Sequence, residues 1–196
     1  VGCDPSLGTG GDYAAIQVLE MPSMKQIAEW QHNKTPIQSQ IKILAEICAY
    51  LNEFTSVEKI YYSVENNTIG EAALISIQEY GEENIKGIFL SEPKRAGHVK
   101  TYRKGFNTTQ KSKLTVCAKM KNLIESKKLY LASKPIISQL KTFVASSGSF
   151  AAKIGEHDDL IMALILTLRI ATILREYDAT LDQSMSDRDD EILLPK

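Results

Sequence analysis

The sequence predicts an α/β fold built on a mixed central sheet, an antiparallel meander followed by parallel strands, with helices packed around it. Three observations carry this. Strand-like segments joined by short connections fill the first 32 residues. Helical and strand-like segments then alternate from Pro36 to Leu90. Near the C-terminal end, Leu160 to Leu174 is apolar apart from Arg169 and a few hydroxyls, which reads as a buried helix.

Val1-Gly2-Cys3-Asp4 reads as the end of a first strand, and Pro5 to Asp12 as a turn, with Gly8, Gly10 and Gly11. Tyr13 to Met21 and Met24 to His32 complete the meander. The glycine-rich turn is not a phosphate-binding P-loop: no Gly-Lys-Ser/Thr follows it, and a strand comes next. Pro36 to Phe54 is an amphipathic helix, with Ile37, Ile41, Leu44, Ala45, Cys48 and Leu51 at helical spacing. Lys59 to Glu65 is a β-branched and aromatic strand, Ile69 to Tyr80 a helix capped by Asn66-Asn67-Thr68, and Ile85 to Leu90 a strand. Strands separated by helices imply parallel pairing beside the meander. From about Gln110 a helix carries Leu114, Cys117, Leu123 and Ile124. Leu129 to Leu131 is a short extended piece. Ser133-Lys134-Pro135 caps a helix expected to run through Val144, and Ser146 to Lys153 reads as a turn and a strand. The last helix spans about 157–176. Residues 1–177 form one domain in this reading, and 178–196 an acidic, flexible tail holding Asp178, Asp182, Asp187, Asp189, Asp190 and Glu191.

The apolar and charged fractions, 43% and 24%, are those of a globular protein with a substantial core. Cys3, Cys48 and Cys117 are an odd set without paired spacing, so they give neither a disulfide framework nor a zinc motif. No secretory signal pattern is present, and 160–174 is shorter than a membrane span, so neither secretion nor a membrane partner is expected. The chain opens on Val1 inside a strand-like segment, as expected of a piece of a longer protein.

The net charge of −1 conceals an uneven distribution. Between Pro93 and Ile124 stand Lys94, Arg95, Lys100, Arg103, Lys104, Lys111, Lys113, Lys119 and Lys121, with His98 and no acid. The first part, with Gly97 and Gly105, looks like a loop. A solvated face is the ordinary reading of scattered lysines. A basic run without one acid, in a chain acidic elsewhere, favours an anion-binding surface.

Three acidic positions are informative. Asp4 ends the first strand, Glu65 ends the first strand after a helix, and Asp158-Asp159 opens the last helix. Each has an ordinary explanation: a turn before Pro5, a surface acid, a helix cap. Together they occupy places that an α/β sheet brings to one edge, where ligands bind. Converging carboxylates repel unless cations lie between them. Hard oxygen ligands point to Mg2+ or Mn2+. Two such ions about 3.5–4 Å apart serve phosphodiester hydrolysis. Asp4 would bridge them, Glu65 would hold one, and Asp159 the other. The basic segment would bind the phosphodiester backbone without reading its sequence.

Residues 1–13 (VGCDPSLGTGGDY), 62–70 (YSVENNTIG) and 155–164 (GEHDDLIMAL) resemble the C-terminal nuclease domain of the large terminase subunit of tailed bacteriophages, with its T4-like branch nearest. The resemblance covers nearly the whole chain. It implies a ribonuclease H-like fold, with a five-stranded mixed sheet flanked by helices. It also implies a metal-dependent endonuclease that cuts concatemeric viral DNA during genome packaging. It assigns catalysis to Asp4, Glu65 and Asp159, with Asp158 a further metal ligand or a helix cap. Where many terminases carry another Asp, three residues after the pair, this chain has Met162. Asp12 also fits the pattern, as a second acid near the metals or a hairpin cap. The DNA-binding set would comprise Lys94, Arg95, Lys100, Arg103, Lys104, Lys111 and Lys113. The implied partners are double-stranded DNA, the portal, the small terminase subunit and an N-terminal ATPase domain that this chain lacks. The implied place of action is the host cytoplasm during phage assembly. A Holliday-junction resolvase or transposase of the same fold, or a non-catalytic DNA-binding module, are the competing expectations.

Overall fold

The computed structural model describes residues 1–96, 99–146, 148–177 and 183. The chain opens with β1 (Gly2–Asp4), β2 (Ala14–Glu20) and β3 (Lys25–His32), followed by α1 (Ile37–Phe54), β4 (Tyr61–Val64), α2 (Thr68–Tyr80) and β5 (Ile88–Phe89). These five strands make one sheet in the order β3-β2-β1-β4-β5. The meander pairs antiparallel, while β1–β4 and β4–β5 are parallel. The mixed sheet predicted from the sequence is therefore present. The crossovers into β4 and β5 each run through a helix, as parallel pairing demands.

Side chains alternate across the sheet. Cys3, Ile16, Val18, Tyr62 and Val64 bury one face against Ile41, Leu44 and Cys48 of α1 and Ala73 and Ile77 of α2. Ala15 and Leu19 face the other way, onto α5 (Asp159–Tyr177). That helix is covered in turn by α3 (Gln110–Glu125), through Val116 and Met120, and by α4 (Lys134–Thr142), through Ile136. A helix enclosed by a sheet and two helices has no solvent face to make polar, which explains the near-continuous apolar run of 160–174. Arg169, the charged residue in that run, is 9% exposed. It pairs with Glu92, donates to the Asn107 carbonyl at 3.1 Å and lies over the Phe106 ring, so it ties Glu92 and the Phe106–Asn107 stretch to α5.

Three expectations are corrected or bounded. The first part of the basic segment is not an open loop but an antiparallel pair, β6 (Glu92–Ala96) and β7 (Val99–Arg103). Val99, Thr101 and Tyr102 supply strand-forming residues there that the glycines and lysines masked. The fourth helix stops at Thr142 rather than Val144. Phe143–Ser146 is instead β8, paired antiparallel with β9 (Ser149–Ala152), because Phe143 and Phe150 stack across the hairpin. The tail expected over 178–196 lies, Gln183 apart, outside the described residues.

Candidate metal centre

Pairing and helix packing bring the predicted acids together. In the parallel β1–β4 ladder Gly2 stands beside Ser63 and Cys3 beside Val64, and the Glu65 amide donates to the Cys3 carbonyl at 2.9 Å. The next positions along the two strands are Asp4 and Glu65, on the face opposite Cys3 and Val64, toward α5. A Cβ on Gly2 would lie 2.5 Å from Thr167 Oγ1 and 2.8 Å from the Ala163 carbonyl oxygen, so the bare glycine lets α5 rest directly on β1. Two strand residues advance about 6.6 Å. Four helix residues advance about 6 Å. Moving from Gly2 to Asp4 therefore matches moving from Ala163 to Asp159. The three carboxylates line one cleft of about 430 Å3 with Asp12, Glu156 and Asp158.

Glycine enforces a second close approach. A Cβ on Gly70 would fall 1.8 Å from the Glu65 carbonyl oxygen, so the first turn of α2 presses on the Glu65 backbone. Asn67 caps that turn, accepting from the amides of Ile69 and Gly70 at 3.0 and 2.9 Å, while its own amide reaches a Glu65 carboxylate oxygen at 3.4 Å. The loop after Asp4 is held by the fully buried Gln40. Its amide nitrogen donates to the carbonyls of Ser6 and Thr35, and its oxygen accepts from the Ser6 amide.

The electrostatics are those of a site assembled for positive charge. Burial pushes Asp4 well above the usual carboxylate range, and the negative charge and hydrogen bond of Glu65 push it further, with Asp159 and Asp158 adding to the same effect. Burial raises Asp159 to about 6 against the pull of His157. Among the described residues, its Oδ2 is buried without a hydrogen-bond partner, and the His157 Nδ1 lies 3.5 Å away. Among the same residues, no three acidic, His or Cys side chains are grouped closely enough, as they stand, to hold one metal ion. Asp4 and Glu65 lie close enough for each charge to disfavour the other. The donor set fits a hard divalent cation: its acidic ligands are all oxygen, and the buried Asp159 Oδ2 lacks a hydrogen-bond partner.

Asp158 and Asp159 differ. The Asp158 carbonyl accepts from the Met162 amide at 2.8 Å and so opens α5, while its carboxylate lies 3.5 Å from Lys113 Nζ. The Leu160 amide at the helix start is taken by Gln139 Oε1 of α4 at 3.0 Å, and Gln139 Nε2 reaches Gln31 of β3 at 3.3 Å. A neighbouring helix thus supplies a cap that sequence reasoning assigned to the aspartates. Gln139 was missed, because a glutamine in an amphipathic helix carries no local signal of its partner. Met162 lines the cleft and offers no charge. Asp12 lines it too, as does Tyr13, whose ring meets that of His157 edge-on.

The basic residues divide by position. Lys113 lines the cleft. Lys111 stands exposed in the first turn of α3, and Lys104 is exposed, paired with Glu82 at 2.7 Å. Lys94 and Arg95 lie on β6, and Lys100 and Arg103 on β7; their side chains lie outside what is described.

A family model for the terminase RNaseH-like domain matches residues 1–169. The chain belongs to that family. Solved structures share the fold. The large terminase nuclease of thermophilic phage G20c with bound magnesium aligns with a TM-score of 0.59 at 17% identity, over 84% of this chain and 77% of that one. Its cobalt-bound form gives a TM-score of 0.58 at 16% identity, over 84% and 77% of the two chains. The Thermus phage P74-26 large terminase nuclease domain gives 0.56 at 16% identity, over 84% and 75%. The ribonuclease H-like architecture expected of this terminase domain is therefore the one observed, and Asp4, Glu65 and Asp159 all lie within the matched residues. No helix among the described residues is long and apolar enough to cross a membrane.

Proposed function

We propose that this terminase domain is a divalent-cation-dependent endodeoxyribonuclease that cuts concatemeric viral DNA during genome packaging. One observation carries the reading: carboxylates from three separate elements, Asp4, Glu65 and Asp159, face one cleft in which Asp159 Oδ2 has no hydrogen-bond partner among the described residues. Such an arrangement stabilises nothing by itself, and it suits bound cations. The large terminase nuclease of phage G20c, similar in fold, has been solved with magnesium, cobalt and zinc, which supports the same use here.

Asp4 stands on the central strand, beside Glu65 and under the start of α5, and is the residue suited to bridge two Mg2+ or Mn2+ ions. Glu65 would hold one and Asp159 the other, with Asp158 as an additional ligand. Bound there, such ions would supply an activated water and stabilisation of the leaving oxygen of the phosphodiester. The protein's own part is orientation. Gly2 and Gly70 let backbones approach until the acids meet, Gln40 fixes the loop beyond Asp4, and Gln139 fixes the start of α5. The β6–β7 hairpin and α3, with Lys94, Arg95, Lys100, Arg103, Lys104, Lys111 and Lys113, would hold duplex DNA by its phosphates, without sequence readout. The portal, the small terminase subunit and a packaging ATPase are the partners this role requires, in the cytoplasm of the infected host.

The test is cleavage of linear and circular plasmid, and of a four-way junction, in Mg2+ and in Mn2+. The wild type is expected to cut both plasmids, and Asp4→Ala, Glu65→Ala and Asp159→Ala to remain folded and inert. Cutting that survives Asp4→Ala overturns the assignment. Cutting confined to the junction indicates a resolvase.

A further inference from the structure

The cleft is lopsided in charge. Asp4, Asp12, Glu65, Glu156, Asp158 and Asp159 line it, and Lys113 is the sole lysine or arginine among its described lining residues. Lys113 reaches in from α3, away from the wall made by β1 and β4. Its side chain is only 17% exposed, with Nζ 3.5 Å from Asp158 Oδ2 and 5.5 Å from the centre of the Phe143 ring. A close charge-assisted hydrogen bond to a carboxylate measures about 2.7–2.9 Å. The contact is thus an ion pair held loosely enough to exchange. The ring nearby offers the ammonium a second, weaker resting place. The four-carbon stem can swing without moving the backbone.

From this geometry we infer that Lys113 links cation binding to DNA binding by changing partners. In the cation-free protein its ammonium neutralises Asp158. When a divalent cation takes over the Asp158–Asp159 carboxylates, the ammonium is displaced and turns to a non-bridging phosphate oxygen of the DNA in the same cleft. The acid wall then no longer repels the backbone, and Lys113 becomes free to bind it. Linkage is reciprocal, so bound DNA tightens the cation by the same factor as the cation tightens DNA. The inference rests on the nuclease reading but is measured without cleavage, so an inert protein could still show the linkage.

The experiment uses Ca2+, a hard cation with the same preference for oxygen ligands, and a labelled duplex whose integrity is checked on a gel. DNA affinity is read by fluorescence anisotropy in EDTA and in Ca2+, and Ca2+ affinity by calorimetry without DNA. For the wild type, Ca2+ is expected to tighten DNA by about tenfold, within the usual range of coupling between sites. Lys113→Gln should lose most of that gain and, with no ammonium competing for Asp158, bind Ca2+ more tightly in the absence of DNA. Lys113→Arg should behave as wild type. Asp158→Asn should tighten DNA in EDTA only when Lys113 is present. Equal tightening by Asp158→Asn in the Lys113→Gln background would reduce the effect to lost repulsion and overturn the exchange. So would weaker Ca2+ binding by Lys113→Gln. If the glutamine variant fails to melt cooperatively, Lys113→Met keeps the stem against Phe143 and serves in its place.

Discussion

The acidic wall of the cleft and the basic surface beyond it are built on opposite principles. Asp4, Glu65 and Asp159 sit on elements whose spacing is fixed by backbone contact, with glycine at Gly2 and Gly70, where a side chain would intervene. The basic residues beyond the cleft stand on the separate β6–β7 pair, just after it and on α3, where Lys104 and Lys111 are exposed. Carboxylates that are to hold a cation, as proposed, must converge within a few ångströms, and backbone contact would secure that. Phosphate contacts need only charge at a tolerable distance, so an adaptable surface serves. Substitutions in the first region should act through geometry, and in the second through charge alone.

The largest expected effect is at Gly70. An alanine Cβ there would overlap the Glu65 carbonyl oxygen at 1.8 Å, a backbone atom with no rotamer to escape into. Gly70→Ala should cost about 3 kcal/mol or more, at or beyond the upper end for overpacking. Denaturant unfolding measures this, and the folded fraction should cut poorly because Glu65 has moved. A neutral substitution would show that α2 does not set the position of Glu65.

Next in size is the strain of crowded charge without cations. Asp159, raised to about 6, binds its proton more tightly in the folded chain than in the unfolded chain. Between about pH 4 and 6 the folded state therefore carries the extra proton, and stability must fall as pH rises through that window. Asp4 is displaced in the same direction by burial and by Glu65, and acts with it. Thermal melts in EDTA should show this loss, and Asp159→Asn should restore about 1–3 kcal/mol at neutral pH. Saturating Mg2+ should cancel the dependence in the wild type. A melting temperature that rises from pH 4 to 6 in EDTA would mean that the acids are satisfied by the protein itself.

Gln139 tests whether geometry at a distance matters. Gln139→Ala removes the partner of the Leu160 amide and should cost about 1 kcal/mol, like other lost helix caps. It should also weaken cation binding by about tenfold, the lower end for residues that orient metal ligands. Gln139→Glu keeps an acceptor for the amide and should recover most of the stability. Calorimetric titration beside a melt separates the two effects.

Much of this arrangement was legible in the sequence because it follows from periodicity. The meander, the parallel strands and the buried last helix all announce themselves by spacing, and their ends carry Asp4, Glu65 and Asp159. What the sequence hid depends on partners distant along the chain. Gln139 and Leu160 are an ordinary glutamine and leucine until α4 meets α5. The β6–β7 pair was obscured because lysine, arginine and glycine dominate a segment whose strand formers are few. The β8–β9 hairpin depends on Phe143 meeting Phe150, which cut short a helical pattern that local propensity would have continued. The different surroundings of Asp158 and Asp159 likewise involve Lys113 and the orphaned Asp159 Oδ2, which belong to tertiary structure.

The smallest effects on stability should come from the exposed basic surface, and they give the sharpest contrast with Gly70. Lys104→Ala removes an exposed pair with Glu82, and such pairs contribute about 0–1 kcal/mol. Lys111→Ala removes an exposed side chain, and such changes usually stay within about 0.5 kcal/mol. Neither should disturb the acids. Each should nevertheless lower the steepness with which DNA affinity falls with salt, by about one unit for every phosphate the variant no longer touches. Measured on two unrelated duplexes, the change should be the same, because phosphate contacts carry no sequence information. If the slope is unchanged while cutting falls, these lysines act on the acidic wall rather than on DNA, and the division between the two regions fails.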